Sequence, residues 1–423
     1  MQKKIIIEGG KRLEGSCLIK AAKNSVLPIL ACTVLCDGEI KLHNCPDITD
    51  IKDMLNILIS IGAKAEFNDG TITVDCRTVE KTTVVGELIS AIRSSIFLLG
   101  PLVARFGCGI IGSPGGCAIG SRPIDIHLDG FRTLGVDVKE KNGLVNCESY
   151  GTGLRGGNIR LKMPSVGATE NLMMAAVLAK GCTVISNAAR EPEVTDLANF
   201  INAMGGRISG AGTKTIVVEG VKRLNGGDYI PIPDRIVAGT YMIGCAVCGG
   251  CVRLEGANLK HLGALKRILQ ASGAKVLGGK RCIIVKSNGS LNNIGRVQTR
   301  VYPGFATDLQ AQLMVMATIA DGESVIVENL FETRFKHAGE LVKMGADIDI
   351  VNKSAIIKGV NKLRGAEVAA YDLRGGAAMV LAGLAAKGTT AVSNVHYILR
   401  GYEDITKDLK GLGAKCESLG MRI

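Results

Sequence analysis

The feature of this chain that most constrains its fold is a sixfold internal repeat. A hydrophobic residue followed by glycine and a short alternating segment recurs at intervals of about 70 residues. Glycine just past a helix adopts left-handed backbone geometry without a Cβ penalty, so each copy predicts a helix C-terminus followed by a strand. The copies are Ile61–Lys64, Leu134–Asp137, Met204–Arg207, Ser272–Lys275 (with serine in the hydrophobic place), Met344–Asp347 and Leu412–Lys415.

A second pattern interleaves with the first. Alanine-rich helices close on a glycine and are followed by strands of β-branched residues. Each unit therefore reads as strand, helix, strand, helix, strand, strand, and six units predict an α/β protein whose apolar helices pack inside. The closing glycines are Gly38, Gly181, Gly322 and Gly388, with weaker copies at Gly107 and Gly250.

The segment Asp228–Asp234 separates the third unit from the fourth. Its two prolines favour an extended connector, so it predicts a domain crossing. The length of 423 residues is also too great for one ordinary core and indicates two or three domains. The simplest arrangement is two lobes of three units, with a ligand cleft between them.

Composition and charge narrow the class of function. The formal charge is +12, but the basic residues form no run of five or six, which favours a cleft for a small anion over nucleic acid. Aromatic residues make up 4% and tryptophan is absent, too few for a base-stacking platform. No apolar stretch reaches the roughly 18 residues that span a bilayer. Fourteen cysteines without an export signal indicate a reducing cytosol.

The most unusual segment is Gly107–Pro123, in which glycines and prolines surround Cys117. This composition predicts a loop or lid that moves, and nearby Arg122 favours the thiolate form of the cysteine. The alternative is a flexible loop whose cysteine is incidental.

Several charged residues are candidates for an anion site. Lys23, followed by Asn24, stands at a predicted helix start, which is unfavourable for a cation unless an anion binds there. Its alternative is an ordinary solvated lysine. Five dispersed arginines are surface residues taken singly, but together they could surround phosphate and carboxylate groups. They are Arg93, Arg122, Arg334, Arg374 and Arg400.

Two helix starts carry further candidates. Asp308 begins an apolar helix and is by default an N-cap or first-turn residue, with a general base in the cleft as the functional alternative. The segment Pro164–Thr169 offers free N–H groups that could hold a diphosphate or form a plain cap. Cys245, Cys248 and Cys251 have the spacing of a metal site but fall within a repeated helix, so we interpret them as structural. The five histidines are dispersed, and no metal is predicted.

Together these segments resemble the enolpyruvyl transferases, and among them those that act on UDP-N-acetylglucosamine. The resemblance runs from Ile6 to Cys416. The motifs that carry it are Ala22–Asn24, Arg93–Ile96, Gly100–Arg105, Pro114–Cys117, Ser165–Thr169, Ala188–Glu193, Thr307–Asp308, Asp372–Arg374 and Arg400–Glu403.

The resemblance implies a two-lobed inside-out α/β barrel built from six units of about 70 residues. One lobe would comprise residues 23–232 and carry the Cys117 loop, and the other residues 1–22 and 233–423. The N-terminal strand would thus join the second lobe, and the active site would lie in the cleft. The family needs no metal or organic cofactor, and the resemblance implies a cytoplasmic monomer that binds neither nucleic acid nor membrane.

The implied reaction moves the enolpyruvyl group of phosphoenolpyruvate to the 3-hydroxyl of UDP-N-acetylglucosamine by addition and elimination, the first committed step of peptidoglycan synthesis. Asp308 would take the hydroxyl proton, and Cys117 would protonate the methylene carbon. The implied donor-binding residues are Lys23, Cys117, Arg122, Arg334, Arg374 and Arg400. The implied UDP-sugar-binding residues are Asn24, Arg93, Arg122, Pro123, Asp125, Ile126, Ser165, Val166, Gly167, Asp308 and Leu330.

Three positions depart from the family pattern. Thr49 and Met163 replace a lysine found in many relatives, and Tyr302 replaces a histidine found in some. Three alternative functions stay open: transfer to shikimate 3-phosphate, RNA-end processing by an enzyme with related repeats, and binding of a UDP-sugar without turnover.

Overall fold

The computed structural model of this chain describes residues 3–86, 89, 92–112, 120, 123–150 and 153–420. Two predicted site residues, Cys117 and Arg122, lie outside the described residues. Within the described ranges, no helix is both long enough and apolar enough to cross a membrane.

The strands form six four-stranded sheets among the described residues. They are β1 (Lys4–Glu8), β2 (Leu13–Leu18), β3 (Cys36–Leu42), β4 (Lys64–Asn68), β5 (Thr71–Asp75), β6 (Thr83–Val84), β7 (Cys108–Gly112), β8 (Val136–Lys141), β9 (Leu144–Ser149), β10 (Asn158–Arg160), β11 (Cys182–Ser186), β12 (Arg207–Ser209), β13 (Thr215–Glu219), β14 (Leu224–Tyr229), β15 (Gly250–Glu255), β16 (Lys275–Gly278), β17 (Cys282–Ser287), β18 (Arg296–Gln298), β19 (Glu323–Val327), β20 (Asp347–Val351), β21 (Ser354–Lys358), β22 (Glu367–Ala369), β23 (Thr389–Ser393) and β24 (Lys415–Leu419).

The helices alternate with these strands. They are α1 (Lys23–Cys32), α2 (Thr49–Ser60), α3 (Leu99–Phe106), α4 (Asp125–Thr133), α5 (Val166–Ala176), α6 (Pro192–Ala203), α7 (Arg235–Cys248), α8 (Gly263–Ala271), α9 (Gln310–Ile319), α10 (Ala338–Lys343), α11 (Leu373–Ala385) and α12 (Ile405–Gly411). In the described part of the chain, 3₁₀ turns cover Thr33–Leu35, Arg93–Leu98, Leu259–Leu262, Thr307–Leu309 and Val395–Arg400.

The chain divides into two compact units. Among the described residues, the first unit comprises those within 21–112 and 123–232, and the second comprises those within 3–20 and 233–420 together with Gly120. The first unit holds the sheets β14-β3-β5-β4, β6-β7-β9-β8 and β10-β11-β13-β12. The second unit holds β16-β17-β15-β2, β18-β19-β21-β20 and β22-β23-β1-β24, so the N-terminal strands pair in the second unit.

One pairing pattern recurs in all six sheets. An outer strand runs parallel to its neighbour, as β10 does to β11, and the other two pairings are antiparallel. The remaining five sheets have the same order of one parallel and two antiparallel strand pairings. The sixfold α/β repeat predicted from the sequence is therefore confirmed.

The helices of each repeat differ in how much of their surface is buried. In α9 every residue from Gln310 to Thr318 is buried, and in α11 every residue from Leu373 to Leu384. These two helices pack on each other and on α7, so they form the interior of the second unit. By contrast, α8 buries only Leu265 and Leu269. Helices inside and sheets outside are the inside-out α/β architecture that the sequence predicted. Burying each large aliphatic side chain contributes about 1.5–3 kcal/mol to the stability of the fold.

The glycines of the 70-residue period end helices as predicted. All six have a left-handed φ between +85° and +109°, a range that side chains with a Cβ rarely adopt. They are Gly62, Gly135, Gly205, Gly273, Gly345 and Gly413.

Among the closing glycines of the second pattern, only Gly107 caps its helix, which corrects the prediction for the other five. The helices before Gly181, Gly250, Gly322 and Gly388 are capped by Val177, Gly249, Ala320 and Ala386, and Gly38 does not end a helix either. Helix α1 ends at Cys32, and Gly38 lies within strand β3. A Cβ at Gly38 would come within 2.8 Å of the backbone nitrogen of Gly226 on the parallel neighbour β14. Glycine is needed here because two backbones approach closely, not because φ is positive.

Candidate active site

The second unit contains a carboxylate between two buried arginines. Asp308 Oδ1 accepts a hydrogen bond of 2.8 Å from Arg334 Nη2, and its Oδ2 accepts one of 2.9 Å from Arg374 Nη2. The arginine side chains are only 5% and 6% exposed, whereas that of Asp308 is 27% exposed. Three residues that the resemblance assigns to catalysis or donor binding are therefore in direct contact.

The sequence predicts Asp308 by default as an N-cap or first-turn residue, and the structure places it in a first turn, not at the N-cap. Asp308 lies inside the 3₁₀ turn Thr307–Leu309, which Ala306 caps without a side-chain hydrogen bond, and α9 follows at once. Each of its carboxylate oxygens accepts a hydrogen bond from one of the two arginines instead. Burial by itself raises the pKa of the Asp308 carboxyl, but the charges of Arg374 and Arg334 outweigh it and hold that pKa well below its usual range.

A buried glutamate fixes the backbone on either side of this cluster. Glu328, 2% exposed, accepts hydrogen bonds from the hydroxyls of Thr299 and Thr307, each at 2.8 Å. It also accepts from the backbone N–H groups of Leu330 at 2.8 Å and Phe331 at 3.2 Å. Thr307 immediately precedes Asp308, and the phenyl ring of Phe331 lies 5.3 Å from the Arg334 guanidinium carbon. Glu328 thus holds the chain segments that carry Asp308 and Arg334, and the sequence analysis missed it.

The N-terminus of α11 is fixed by Asp372. Its Oδ1 accepts 2.9 Å hydrogen bonds from the backbone N–H groups of Arg374 and Gly375, so α11 begins at Leu373 and carries Arg374 in its first turn. His337 packs beside this turn, because a Cβ on Gly375 would lie 3.3 Å from the His337 Cβ. Burial lowers the pKa of the His337 imidazole to about 4, with Asp372 opposing the shift and Arg334 adding to it.

This histidine makes stability depend on pH. The folded pKa lies below the unfolded value of about 6.5, so between pH 4 and 6.5 the unfolded chain binds more protons at this position. The unfolding free energy therefore rises with pH across this window. We expect the wild-type chain to lose about 2 kcal/mol more between pH 7 and pH 5 than a His337→Asn variant.

Urea unfolding at the two pH values measures this difference, with the exposed His396→Asn as the control that should keep the wild-type dependence. Equal pH dependence in wild type and His337→Asn would show that the imidazole is not held neutral by burial.

In the first unit, Lys23 begins α1 and is paired with a buried acid. Its Nζ lies 2.7 Å from Asp50 Oδ2, and the two side chains are 12% and 3% exposed. Asp50 stands in the first turn of α2, so the pair joins the starts of two helices. The interpretation of Lys23 as an ordinary solvated lysine is therefore wrong. Asn24 follows it and is half-buried.

A second buried acid ties α1 to the connector that leaves the first unit. Asp196 of α6 accepts hydrogen bonds from the hydroxyls of Ser25 and Tyr229, the latter at 2.7 Å, and from the Ile232 backbone N–H at 3.0 Å. Burial raises the pKa of the Asp196 carboxyl, although these donors oppose the shift. The connector predicted over Asp228–Asp234 is strand β14 as far as Tyr229, and Asp234 caps α7.

The described residues implied in UDP-sugar binding in the first unit lie at or next to the starts of three helices, counting Asn24 in α1, and of a 3₁₀ turn. Ser165 caps α5 by accepting from the Ala168 N–H at 3.3 Å, and Val166 and Gly167 form its first turn. Asp125 and Ile126 begin α4, with Asp125 and Pro123 exposed, and Arg93 begins the turn Arg93–Leu98.

Asn171 holds these three elements together. Its Oδ1 accepts from the Gly100 N–H at 2.9 Å, its Nδ2 donates to the Ile96 carbonyl at 2.9 Å, and the same nitrogen lies 3.1 Å from His127 Nδ1. It is fully buried in α5. Three polar residues, Thr169 to Asn171, in an otherwise apolar helix were the sequence signal for this position, and the sequence analysis did not use it.

The remaining predicted residues are placed separately. Arg400 ends the turn Val395–Arg400, and Leu330 is half-buried beside Glu328. Among the departures, Thr49 and Met163 are exposed, whereas the Tyr302 hydroxyl donates to the Lys260 carbonyl at 3.4 Å.

The cysteine motif does not form a cluster of metal ligands. Cys245 is buried in α7, Cys248 ends that helix, and Cys251 is exposed on β15. Among the described residues, no group of three or more histidine, cysteine or acidic side chains is arranged to hold a metal ion.

Comparisons with known proteins agree along the whole chain. The family model described as EPSP synthase (3-phosphoshikimate 1-carboxyvinyltransferase) matches residues 7–409. UDP-N-acetylglucosamine 1-carboxyvinyltransferase 2 of Caldanaerobacter subterraneus subsp. tengcongensis is 49% identical over 411 residues, which are 97% of this chain and 98% of that protein. UDP-N-acetylglucosamine 1-carboxyvinyltransferase of Geotalea daltonii is 44% identical over 98% of this chain and 99% of its own length.

Solved structures give the same assignment of fold. The enolpyruvyl transferase NikO from Streptomyces tendae superposes with a TM-score of 0.88 at 25% identity, covering 99% of both chains. EPSP synthase from Acinetobacter baumannii, at 20% identity, superposes with a TM-score of 0.77 over 99% of this chain and all of that one, and this shows the fold alone. The chain therefore belongs to the enolpyruvyl transferase family and, by its full-length identity, to the UDP-N-acetylglucosamine 1-carboxyvinyltransferases within it.

Proposed function

We propose that this chain transfers the enolpyruvyl group of phosphoenolpyruvate to the 3-hydroxyl of UDP-N-acetylglucosamine and releases phosphate. The names of the relatives that match it over their full length support this acceptor. The observation that carries the chemistry is the Asp308 carboxylate in contact with Arg334 and Arg374. It combines a proton acceptor with two cations suited to an anionic donor.

In the proposed addition step, the acceptor oxygen bonds to C2 of phosphoenolpyruvate. Asp308 accepts the hydroxyl proton, and Cys117 gives a proton to the methylene carbon C3, which becomes a methyl group. In the elimination step, the C2–O bond to phosphate breaks and phosphate leaves with the bonding electrons. The methyl carbon returns a proton to the Cys117 thiolate, and the C2–C3 double bond forms again. No oxidant, metal or organic cofactor enters this balance.

The donor's charge needs several cations. We propose that Lys23, Arg122 and Arg400 hold its phosphate group and that Arg334 and Arg374 complete the anion site. The burial of Arg334 and Arg374 supports this role, because an ion pair is stronger away from water. The buried Lys23–Asp50 pair supports a fixed position for the lysine.

We propose that the UDP-sugar contacts the helix starts of the first unit and two residues of the second. The free N–H groups of Val166 and Gly167 in the first turn of α5 suit a diphosphate. The proposed contacts are Asn24, Arg93, Arg122, Pro123, Asp125, Ile126, Ser165, Val166, Gly167, Asp308 and Leu330.

The test is phosphate release from phosphoenolpyruvate by the wild-type chain, with UDP-N-acetylglucosamine or shikimate 3-phosphate as acceptor. Release only with the UDP-sugar, and its loss in Cys117→Ser, would support both the acceptor and the role of the cysteine. Release only with shikimate 3-phosphate would overturn the acceptor. No release with either would favour a binding protein without turnover, and salt-dependent RNA affinity would favour RNA-end processing.

Cys117 also predicts inhibition by the epoxide fosfomycin. An activated thiol opens an epoxide by nucleophilic attack, so pre-incubation should abolish activity and add the mass of one inhibitor molecule to the Cys117 peptide. Cys117→Ser should gain no mass. An unchanged activity and peptide mass in the wild-type chain would contradict the prediction.

We further propose that the chain acts in the cytoplasm, as a monomer, at the first committed step of peptidoglycan synthesis, and thereby in cell-wall growth and division. The 13 described cysteines are free, which suits a reducing compartment. Sedimentation equilibrium of the purified chain tests the monomer, since a mass of about twice 44.4 kDa would contradict it.

A further inference from the structure

The cluster of Asp308, Arg334 and Arg374 presents its acid, not its cations, to the solvent. The arginine side chains are 5% and 6% exposed, and the carboxylate between them is 27% exposed. A ligand that approaches this cluster therefore meets a negative charge first.

Both arginines have N–H groups that Asp308 does not use, but their positive charges are already paired with its carboxylate. Each uses one Nη2 atom on Asp308, and a guanidinium carries five N–H groups. Within the described residues, no other acid forms an ion pair with either arginine. The cluster thus has two positive charges and one negative, and an incoming anion must share the guanidinium groups that Asp308 now holds.

We propose that Asp308 is a built-in competitor for anions at Arg334 and Arg374, and that the donor's anion releases it to act as the base. This inference rests on the proposed function and adds a control to it. The donor's negative group takes part of the guanidinium charge, the ion pairs to Asp308 weaken, and the carboxylate becomes able to accept the acceptor's proton.

The direction of this effect follows from the charges. A carboxylate stabilised by two arginines is a weak base, because accepting a proton would sacrifice both ion pairs. When a second anion shares the same cations, protonation of Asp308 costs less. Proton removal from the sugar is therefore coupled to the presence of the donor, which avoids ionising the acceptor when there is nothing for it to attack.

The neighbouring groups do not replace Asp308 as the counter-ion. Asp372 is engaged in capping α11 through Oδ1. Asp234 and Tyr402 interact electrostatically with Arg374 but form no ion pair with it. Asp234 caps α7, and the Tyr402 hydroxyl is hydrogen-bonded to the Thr240 hydroxyl at 2.8 Å. His337 is held neutral. Asp308 is therefore the anion whose removal should expose the two cations.

The experiment measures binding of inorganic phosphate by calorimetry, without the sugar, to the full chain. Asp308→Asn keeps the shape but removes the charge, and we expect it to bind phosphate about tenfold more tightly than wild type. Asp347→Asn changes the net charge equally at an exposed position on β20 and should leave the affinity within about twofold. Asp308→Glu, which keeps a carboxylate, should also stay near wild type.

Two further measurements locate the effect and guard against a folding defect. In the double variant Asp308→Asn/Arg374→Met, the gain in affinity should disappear, because one of the competing cations is gone. In the folded wild-type chain, the carboxyl ¹³C resonance of Asp308 should shift when phosphate is added.

Unchanged or weaker phosphate binding in Asp308→Asn would overturn the proposal, as would an Asp308 resonance that phosphate does not move. Neither result would contradict the proposed reaction, because phosphate release by the wild-type chain tests that reaction independently.

Discussion

Asp308→Asn is expected to lower kcat by roughly 10³-fold while binding of the UDP-sugar is retained, because asparagine keeps the size of the side chain but cannot accept a proton. Loss of a positioned general base typically costs between about 10² and 10⁴ in rate. Amide oxygen still accepts a hydrogen bond from one arginine, whereas the amide nitrogen cannot accept one from the other. The measurement is kcat and KM for phosphate release at saturating concentrations of both substrates.

The pattern of the two kinetic constants is informative. If Asp308 is the base, kcat falls and added phosphate binds at least as well as in wild type. If its role were only to hold the arginines in place, donor binding would weaken in Asp308→Asn, and kcat at saturating donor would stay near wild type. The charge-matched Asp347→Asn should keep wild-type kinetics, and a kcat of Asp308→Asn within about threefold of wild type would exclude the base role.

Glu328→Ala should lower the free energy of unfolding by about 4 kcal/mol, the larger of the two stability effects predicted for this chain. Four donors lose their acceptor at once: the hydroxyls of Thr299 and Thr307 and the N–H groups of Leu330 and Phe331. An orphaned donor that is fully buried, as that of Thr299 is, costs about 1–3 kcal/mol, and the three part-buried donors cost less because water can reach them.

Urea unfolding of the wild type and variants measures this loss. Glu328→Gln keeps one oxygen that can accept from Thr299 and the two backbone groups, so we expect it to fall between wild type and Glu328→Ala. Glu323→Ala, at an exposed position on the nearby strand β19, is the matched control and should change the unfolding free energy by less than about 0.5 kcal/mol. A loss below about 1 kcal/mol in Glu328→Ala would mean that the network does not hold the Asp308 turn.

The repeat architecture could be predicted from sequence because its signals are local. A glycine with a left-handed φ is required by the backbone of a few neighbouring residues, and the six period glycines fulfil that requirement wherever their helices pack. The interior helices were recognisable in the same way, since an all-apolar helix has no face to offer to water.

The local rule failed where distant segments meet. Gly38 resembled a helix end in sequence, but its lack of a Cβ serves the approach of β14, nearly 190 residues further along the chain. Asp308 resembled an ordinary N-cap or first-turn residue because aspartate is common at helix starts, and it does lie in a first turn. Its partners Arg334 and Arg374, 26 and 66 residues away, change that role.

The sequence by itself determined the six α/β units, the interior position of their apolar helices and, through its family motifs, the identity of the candidate residues. Only the tertiary structure decided which of them form ion pairs: Asp308 pairs with two arginines, and Lys23 pairs with Asp50. The physical reason is range. Backbone conformation and helix burial depend on residues a few positions apart, whereas the strength of an ion pair depends on the distance and burial that folding imposes on residues far apart in sequence.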